Sequence, residues 1–397
     1  MKLGTSSVVV AAFVGPGTVL TCATAGVDFG YALGWVLVFS VGATFILQSF
    51  TAGAGILAGQ GVGEAMREFF QGAAVRTVVF ALVVLGLWAG TAAFETGNVL
   101  GAATGLETLL GGTVSRAWLI LTIGAAAAVM LALQLRFVMQ LLTGLVAFMS
   151  LVFVLTMVLA PVDWAQATRG LFVPHIPRGS LVRTLALVGT TVVAYNLFLH
   201  GSAAKKYWAG TDRQVAWRRE LAGMAIFLPL GGLISVAILF AGATLQTDTG
   251  VRDVASLAPL IEPAAGSLAR ILFGLGIFAA GITSAVTAPL AAALGVREIF
   301  GWPDDTRHRG FQIVWISVLG TGLVFALWGR NPLEIIIAAQ AANGLLLPFM
   351  AGFVLYLTTR QGAVTLPRWY LGLGALVTLI CAALGARTLM WVWGQLA

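Results

Sequence analysis

Eleven apolar stretches, each long enough to cross a bilayer, leave this chain few ways to fold. They lie near residues 6–26, 31–58, 77–104, 117–135, 138–160, 183–204, 220–244, 268–295, 311–329, 333–358 and 370–394. In lipid such stretches become helices, because every backbone N–H and C=O must find a partner within its own segment. The links between them, such as Arg67–Gln71, Lys205–Arg219 and Arg297–Arg309, are short and polar, and none is long enough for a separate domain. A composition 59% hydrophobic and 9% charged, with a mean hydropathy of +0.97, excludes a soluble globule. The expectation is an all-α polytopic membrane protein with 11 transmembrane helices in one domain, residues 1–397.

The net charge of +7 is spread through short loops, so nucleic acid is not an expected partner. With the amino terminus in the cytoplasm, fourteen of the 22 lysines and arginines fall on the inner side and seven on the outer, leaving Arg387 inside the last stretch. That bias places the amino terminus inside and the carboxyl terminus outside, as in a bacterial inner-membrane protein. Lys2 is the only early charge and no small-residue cleavage site follows, so no cleaved leader is expected. Cys22 and Cys381 lie in apolar stretches and read as packing residues.

The first stretch carries its own interruption, Phe13-Val14-Gly15-Pro16-Gly17-Thr18. Pro16 lacks an N–H and clashes with the preceding turn, and each glycine costs about 1 kcal/mol in a helix interior. Irregular backbone at membrane depth is tolerated where it is buried in protein or lines a cavity, and interrupted helices form the binding sites of many secondary transporters. A merely kinked ordinary span is the alternative. An odd number of spans with a broken first helix suggests two inverted five-helix repeats, about 6–160 and 183–358, plus an extra helix at about 370–394. The mate of the first helix is then the sixth, Leu187 to His200, which is rich in β-branched residues and carries Tyr195-Asn196 at mid-depth. Residues 15–18 are expected to be non-helical, and helix six irregular near 193–197, with both facing one midplane cavity.

From here the chain resembles a known family. Phe13 to Thr18, then Ala25-Gly26 and Phe29-Gly30-Tyr31-Ala32-Leu33-Gly34-Trp35, is similar to the first helix of the NRAMP metal transporters, with its Asp-Pro-Gly-Asn motif. Asn196-Leu197-Phe198-Leu199-His200 resembles the segment after their Met-Pro-His motif. Gly281-Ile282-Thr283-Ser284 with Thr287 resembles their helix eight, and Gln340 with Leu347-Pro348-Phe349 their helix ten. The resemblance implies the leucine-transporter-type inverted 5+5 repeat with helices 1 and 6 broken. It also implies a substrate site of Gly15, Pro16, Gly17, Thr18, Val193, Ala194, Tyr195, Asn196 and Gln340. Gly15 and Thr18 stand where the family has Asp and Asn; Val193, Ala194 and Tyr195 stand where it has Met, Pro and His. Glu95 looks like the first acid of the family's helix-three proton route, whose second acid is matched by Asn98. Sodium-coupled relatives of the leucine-transporter type bind one sodium ion with a Thr/Ser pair such as Thr283 and Ser284.

A divalent cation wants anionic oxygens, or imidazole and thioether ligands if it is a transition metal. With neutral groups at Gly15 and Val193, no metal site is expected. The functional expectation is a monomeric secondary transporter, not an enzyme, in the lipid bilayer. It would move a small anion or zwitterion, with bicarbonate first and a small carboxylate or amino acid next, and with no cofactor beyond a coupling Na+ or H+. Its alternative is a divalent metal cation (Mn, Mg) transporter with altered ligands; a third reading is a sensor or scaffold. Glu95 as a structural acid, Thr283 and Ser284 as hydroxyls bonded within their own helix, and His200 as a packed histidine are the plain alternatives to functional roles. Arg387 is assigned none.

Overall fold

The computed structural model describes residues 15–133, 136–245, 255–328, 332–360 and 367–396; Phe13 and Val14 of the first motif lie outside them. The described residues form helices and connections, with no strand among them. In chain order these are α1 (Pro16–Phe29), α2 (Gly34–Gly53), α3 (Val62–Phe69), α4 (Ala73–Leu110), α5 (Arg116–Leu133), α6 (Arg136–Leu159) and α7 (Trp164–Phe172). Then follow α8 (Leu181–Thr191), α9 (Ala194–Tyr207), α10 (Arg213–Thr244), α11 (Ala269–Phe300), α12 (Arg309–Leu327), α13 (Pro332–Arg360) and α14 (Arg368–Leu396). Among the described residues nine helical segments are long and apolar enough to cross a membrane. Two expected spans stand outside that count: the first, which opens in residues not described, and α13, whose apolar run is the shorter Leu347–Thr359.

The expected interruption of the sixth span is present but displaced, and of the first span the described residues show the helix beginning at Pro16. Gly15 is extended (φ −85, ψ 169) and Pro16 is the first residue of α1. A proline at that position loses nothing, because the first N–H groups of a helix have no intrahelical partner. Gly17 and Thr18 are therefore helical, and of residues 15–18 only Gly15 is not. The sixth span stops at Thr191, runs extended through Val192 and Val193, and restarts at Ala194. Tyr195 and Asn196 accordingly sit in the first turn of α9 instead of in the irregular segment. A third irregularity was not foreseen: α2 ends in a π turn, Ala54–Ala58, closed by Gly59 at φ 72.

Helices in lipid pack through small residues, which let backbones approach closely. α4 and α11 make the most extensive pairing in the molecule. A Cβ on Gly105 would lie 2.5 Å from Phe278 N, and one on Gly281 would lie 2.5 Å from Ala102 N and 2.7 Å from Asn98 O. α1 and α10 meet in the same way, with Gly26 against Leu239 O and Gly242 against Ala23 O. Most buried hydroxyls bond one turn back, as Thr24 does to Leu20 O, Ser40 to Val36 O, Thr91 to Leu87 O and Thr104 to Leu100 O. Gly281→Val should separate α11 from α4 and destabilise the protein by about 1–3 kcal/mol through overpacking. A clear fall in the melting temperature of the detergent-solubilised protein is expected, and an unchanged one would contradict the close approach.

Candidate functional site

α4 supports both interruptions. Pro16 packs directly on Gly101, where a Cβ would collide with the proline ring. Tyr195 meets Phe94 edge to face, with ring centroids 5.9 Å apart. Thr18 of α1 and Thr190 of α8 share a hydrogen bond of 2.8 Å between their hydroxyls, tying the start of one helix to the end of the other. Gln340 of α13 presses on Gly17, where any side chain would strike its Nε2. Asn343, one turn along α13, donates from Nδ2 to Gly189 O at 2.6 Å and to Val192 O at 3.1 Å. Ser284 of α11 faces the first interruption: a Cβ on Gly15 would lie 3.2 Å from its Oγ. Thr283 donates within its own helix, to Ala279 O at 2.8 Å and Ala280 O at 3.0 Å. The expected Thr/Ser pair is thus split in function, and only Ser284 addresses the interruption.

The buried polar atoms left over here are oxygens. Asn196 Oδ1, Gln340 Oε1 and Glu95 Oε1 have no hydrogen-bond partner among the described residues. Glu95 is fully buried; its Oε2 accepts from Asn98 Nδ2 at 3.2 Å, and Gly322 of α12 closes over its side chain. Thr18, an expected substrate-site residue, is engaged with Thr190, and Pro16 has no N–H to offer. Each of the two amides also carries an N–H2 group, so Asn196 and Gln340 bring an oxygen acceptor and a donor to the site. Among the described residues no three His, Cys, Asp or Glu side chains come together in a group fit to hold a metal.

The expected cytoplasmic ends of the helices carry a polar network that the sequence pattern did not reveal. Fully buried His200 shares a 2.9 Å hydrogen bond with fully buried Glu220, which also accepts from Trp208 Nε1 at 2.6 Å. Glu64 of α3 pairs with Lys205 of α9 at 2.5 Å and accepts from Gly61 N at 3.0 Å. Glu298 of α11 is bonded by Ser202 and by Gly63 N. Arg213 donates to Leu57 O at 2.9 Å, satisfying a carbonyl of the π turn. At the other end of the bundle, Arg183 at the start of α8 pairs with Asp28 at the end of α1, 3.0 Å apart. Arg387 is exposed and, with Arg178, lines a hollow of about 180 Å³ beside the start of α8.

Residues 6–391 match the family described as natural resistance-associated macrophage protein-like, or Nramp. The chain is 25% identical over 392 residues to the divalent metal cation transporter MntH of Klebsiella pneumoniae, covering 96% of this chain and 92% of that one. The protein of the same name from Yersinia pestis is 25% identical over 354 residues, with 85% and 81% covered. In fold it is similar to the manganese transporter of Eremococcus coleocola, at a TM-score of 0.76 and 21% identity over 96% of this chain and 85% of that one. It is also similar to Mhp1, a nucleobase-cation-symport-1 family transporter, at a TM-score of 0.56 and 17% identity over 97% and 92%. These likenesses bear out the leucine-transporter-type architecture. The expectation of anion, zwitterion or bicarbonate transport is overturned: the MntH relatives and the Eremococcus coleocola protein are named for divalent metals, and none is named for an anion.

Burial works to raise the carboxyl of Glu64, yet the bond and charge of Lys205 override it and hold the group below the usual carboxylate range. A depressed carboxylate stabilises the fold above its unfolded value and loses that contribution as pH falls through the folded one. Lys205→Met should lower the melting temperature near about pH 7, and the difference should shrink as pH falls below the ordinary carboxylate range. The half-exposed pair contributes at most about 1 kcal/mol, and its effect should shrink in high salt.

Proposed function

The chain belongs to the Nramp family, and from that premise we propose that it carries a divalent metal cation across the membrane by alternating access. The observation that supports this reading is the set of buried, unpartnered oxygens, Asn196 Oδ1 and Gln340 Oε1, on elements that meet the two helix interruptions. Amide oxygens and backbone carbonyls suit hard cations such as Mg²⁺ and Mn²⁺, whereas the sulfur ligand of the family motif is replaced here by Val193. Neutral ligands cannot offset full dehydration of a doubly charged ion. The ion therefore crosses with part of its water shell, as Mg²⁺ commonly does in protein sites. Glu95, with Oε1 unpartnered, is the group proposed to take up a coupling proton; Ser284 beside Gly15 is where a coupling sodium ion would bind. We further take the protein as a monomer in a bacterial inner membrane with its amino terminus inside, an orientation that the distribution of lysine and arginine supports.

Purified protein in liposomes should show saturable Mn²⁺ or Mg²⁺ influx, and flux of neither ion would overturn the reading. Asn196→Leu and Gln340→Leu should each reduce that influx about tenfold or more, since each removes a ligand oxygen while keeping bulk. Gly15→Asp should act in the opposite direction on binding. Gly15 has an ordinary negative φ, and the Cβ meets only a hydroxyl that can rotate. A carboxylate placed there should tighten Mn²⁺ binding by at least about tenfold, read by isothermal titration. If protons are the coupling ion, Glu95→Gln should abolish the response of influx to a pH gradient.

A further inference from the structure

A helix that stops at mid-membrane leaves carbonyl groups that water cannot reach. In a continuous sixth helix Gly189 O would accept from Val193 N–H, and Val192 O from Asn196 N–H. Neither bond forms: Asn196 N–H instead turns to Val193 O at 3.1 Å. Both orphaned carbonyls are taken up by one side-chain amide, Asn343 Nδ2, at 2.6 and 3.1 Å. Asn343 is 2% exposed, so no solvent competes for those bonds. The chain also lacks a covalent reason for the interruption. Residues 192–194 are Val, Val and Ala, none of which is barred from a helix, although the β-branched run Thr190 to Val193 lowers the propensity.

We propose that Asn343 is the positioning residue that keeps the sixth helix broken, in place of a proline in the helix itself. A proline interrupts a helix permanently. An amide offered from α13 does so only while α13 stays packed against α8, so the interruption is conditional on the arrangement of the helices. When α13 withdraws, residues 189–196 are free to close into one helix and the two carbonyls return to their own backbone. The inference deepens the transport reading and rests on it for its consequence, but not for its first readout.

That readout is amide hydrogen exchange across residues 189–197 of the full chain in detergent or nanodisc. Asn343→Leu, close in size and without a donor, should increase the protection of the amides of residues 193–196 by about tenfold or more. Mn²⁺ influx into liposomes should fall by a similar factor. Adding Ala194→Pro should remove the new protection and restore most of the influx. Ala194 is the first residue of α9, where a proline fits, and Val193 already has the extended backbone (φ −99, ψ 126) that a following proline requires. Unchanged exchange in Asn343→Leu, or a loss of influx that Ala194→Pro leaves in place, would overturn the proposal. Where the Leu variant does not fold, Asn343→Ala, which adds no bulk, must give the same exchange pattern. If the unmodified protein moves no Mn²⁺, the transport reading fails while exchange still decides the role of Asn343.

Discussion

A backbone group at membrane depth has no water to turn to, and that constraint orders the interior of this protein. Each interruption is tolerated because some other element closes over it or answers its exposed groups. Pro16 removes one N–H at the point where the first helix begins, and Gly101 lets its ring sit flush against α4. The sixth helix has no proline and draws its compensation from Asn343. At the end of α2 the π turn leaves a carbonyl that Arg213 meets. A helix start and two departures from regular helix are thus met by a covalent ring, an amide and a guanidinium.

The same constraint explains which parts of the fold were legible in the sequence. Apolar runs between short polar links report spans directly, because lipid admits few alternatives. Gly15-Pro16-Gly17 announced an interruption, but the side of it on which the helix resumes depends on proline being harmless in a first turn. That is why Pro16 to Thr18 proved helical. The interruption at Val192 and Val193 was expected only from its symmetry with the first, since no residue within it forbids a helix.

The site was less legible than the fold, for a reason particular to membrane interiors. Polar residues there are few, but the sequence does not say which neighbour has already consumed them. Thr18 looked like a free hydroxyl until Thr190 was found on it, and Thr283 is spent on its own helix. Gln340 and Asn196 keep an oxygen unpartnered, a distinction that depends wholly on packing. Asn343 was overlooked although it lies three residues from Gln340, on the same face of its helix. Reading the site as one for an anion followed from the neutral residues at Gly15 and Val193, and the relatives named for divalent metals do not support it.

α1 and α8 are held to each other at two separated points, Thr18 with Thr190 at one end and Asp28 with Arg183 at the other. Splaying the two segments, or sliding one past the other, costs at least one of these bonds, while tilting them together costs neither. They form a lever with its arms fixed in parallel. A movement that displaced one of these helices without the other would have to break both contacts, so the two contacts favour their moving together.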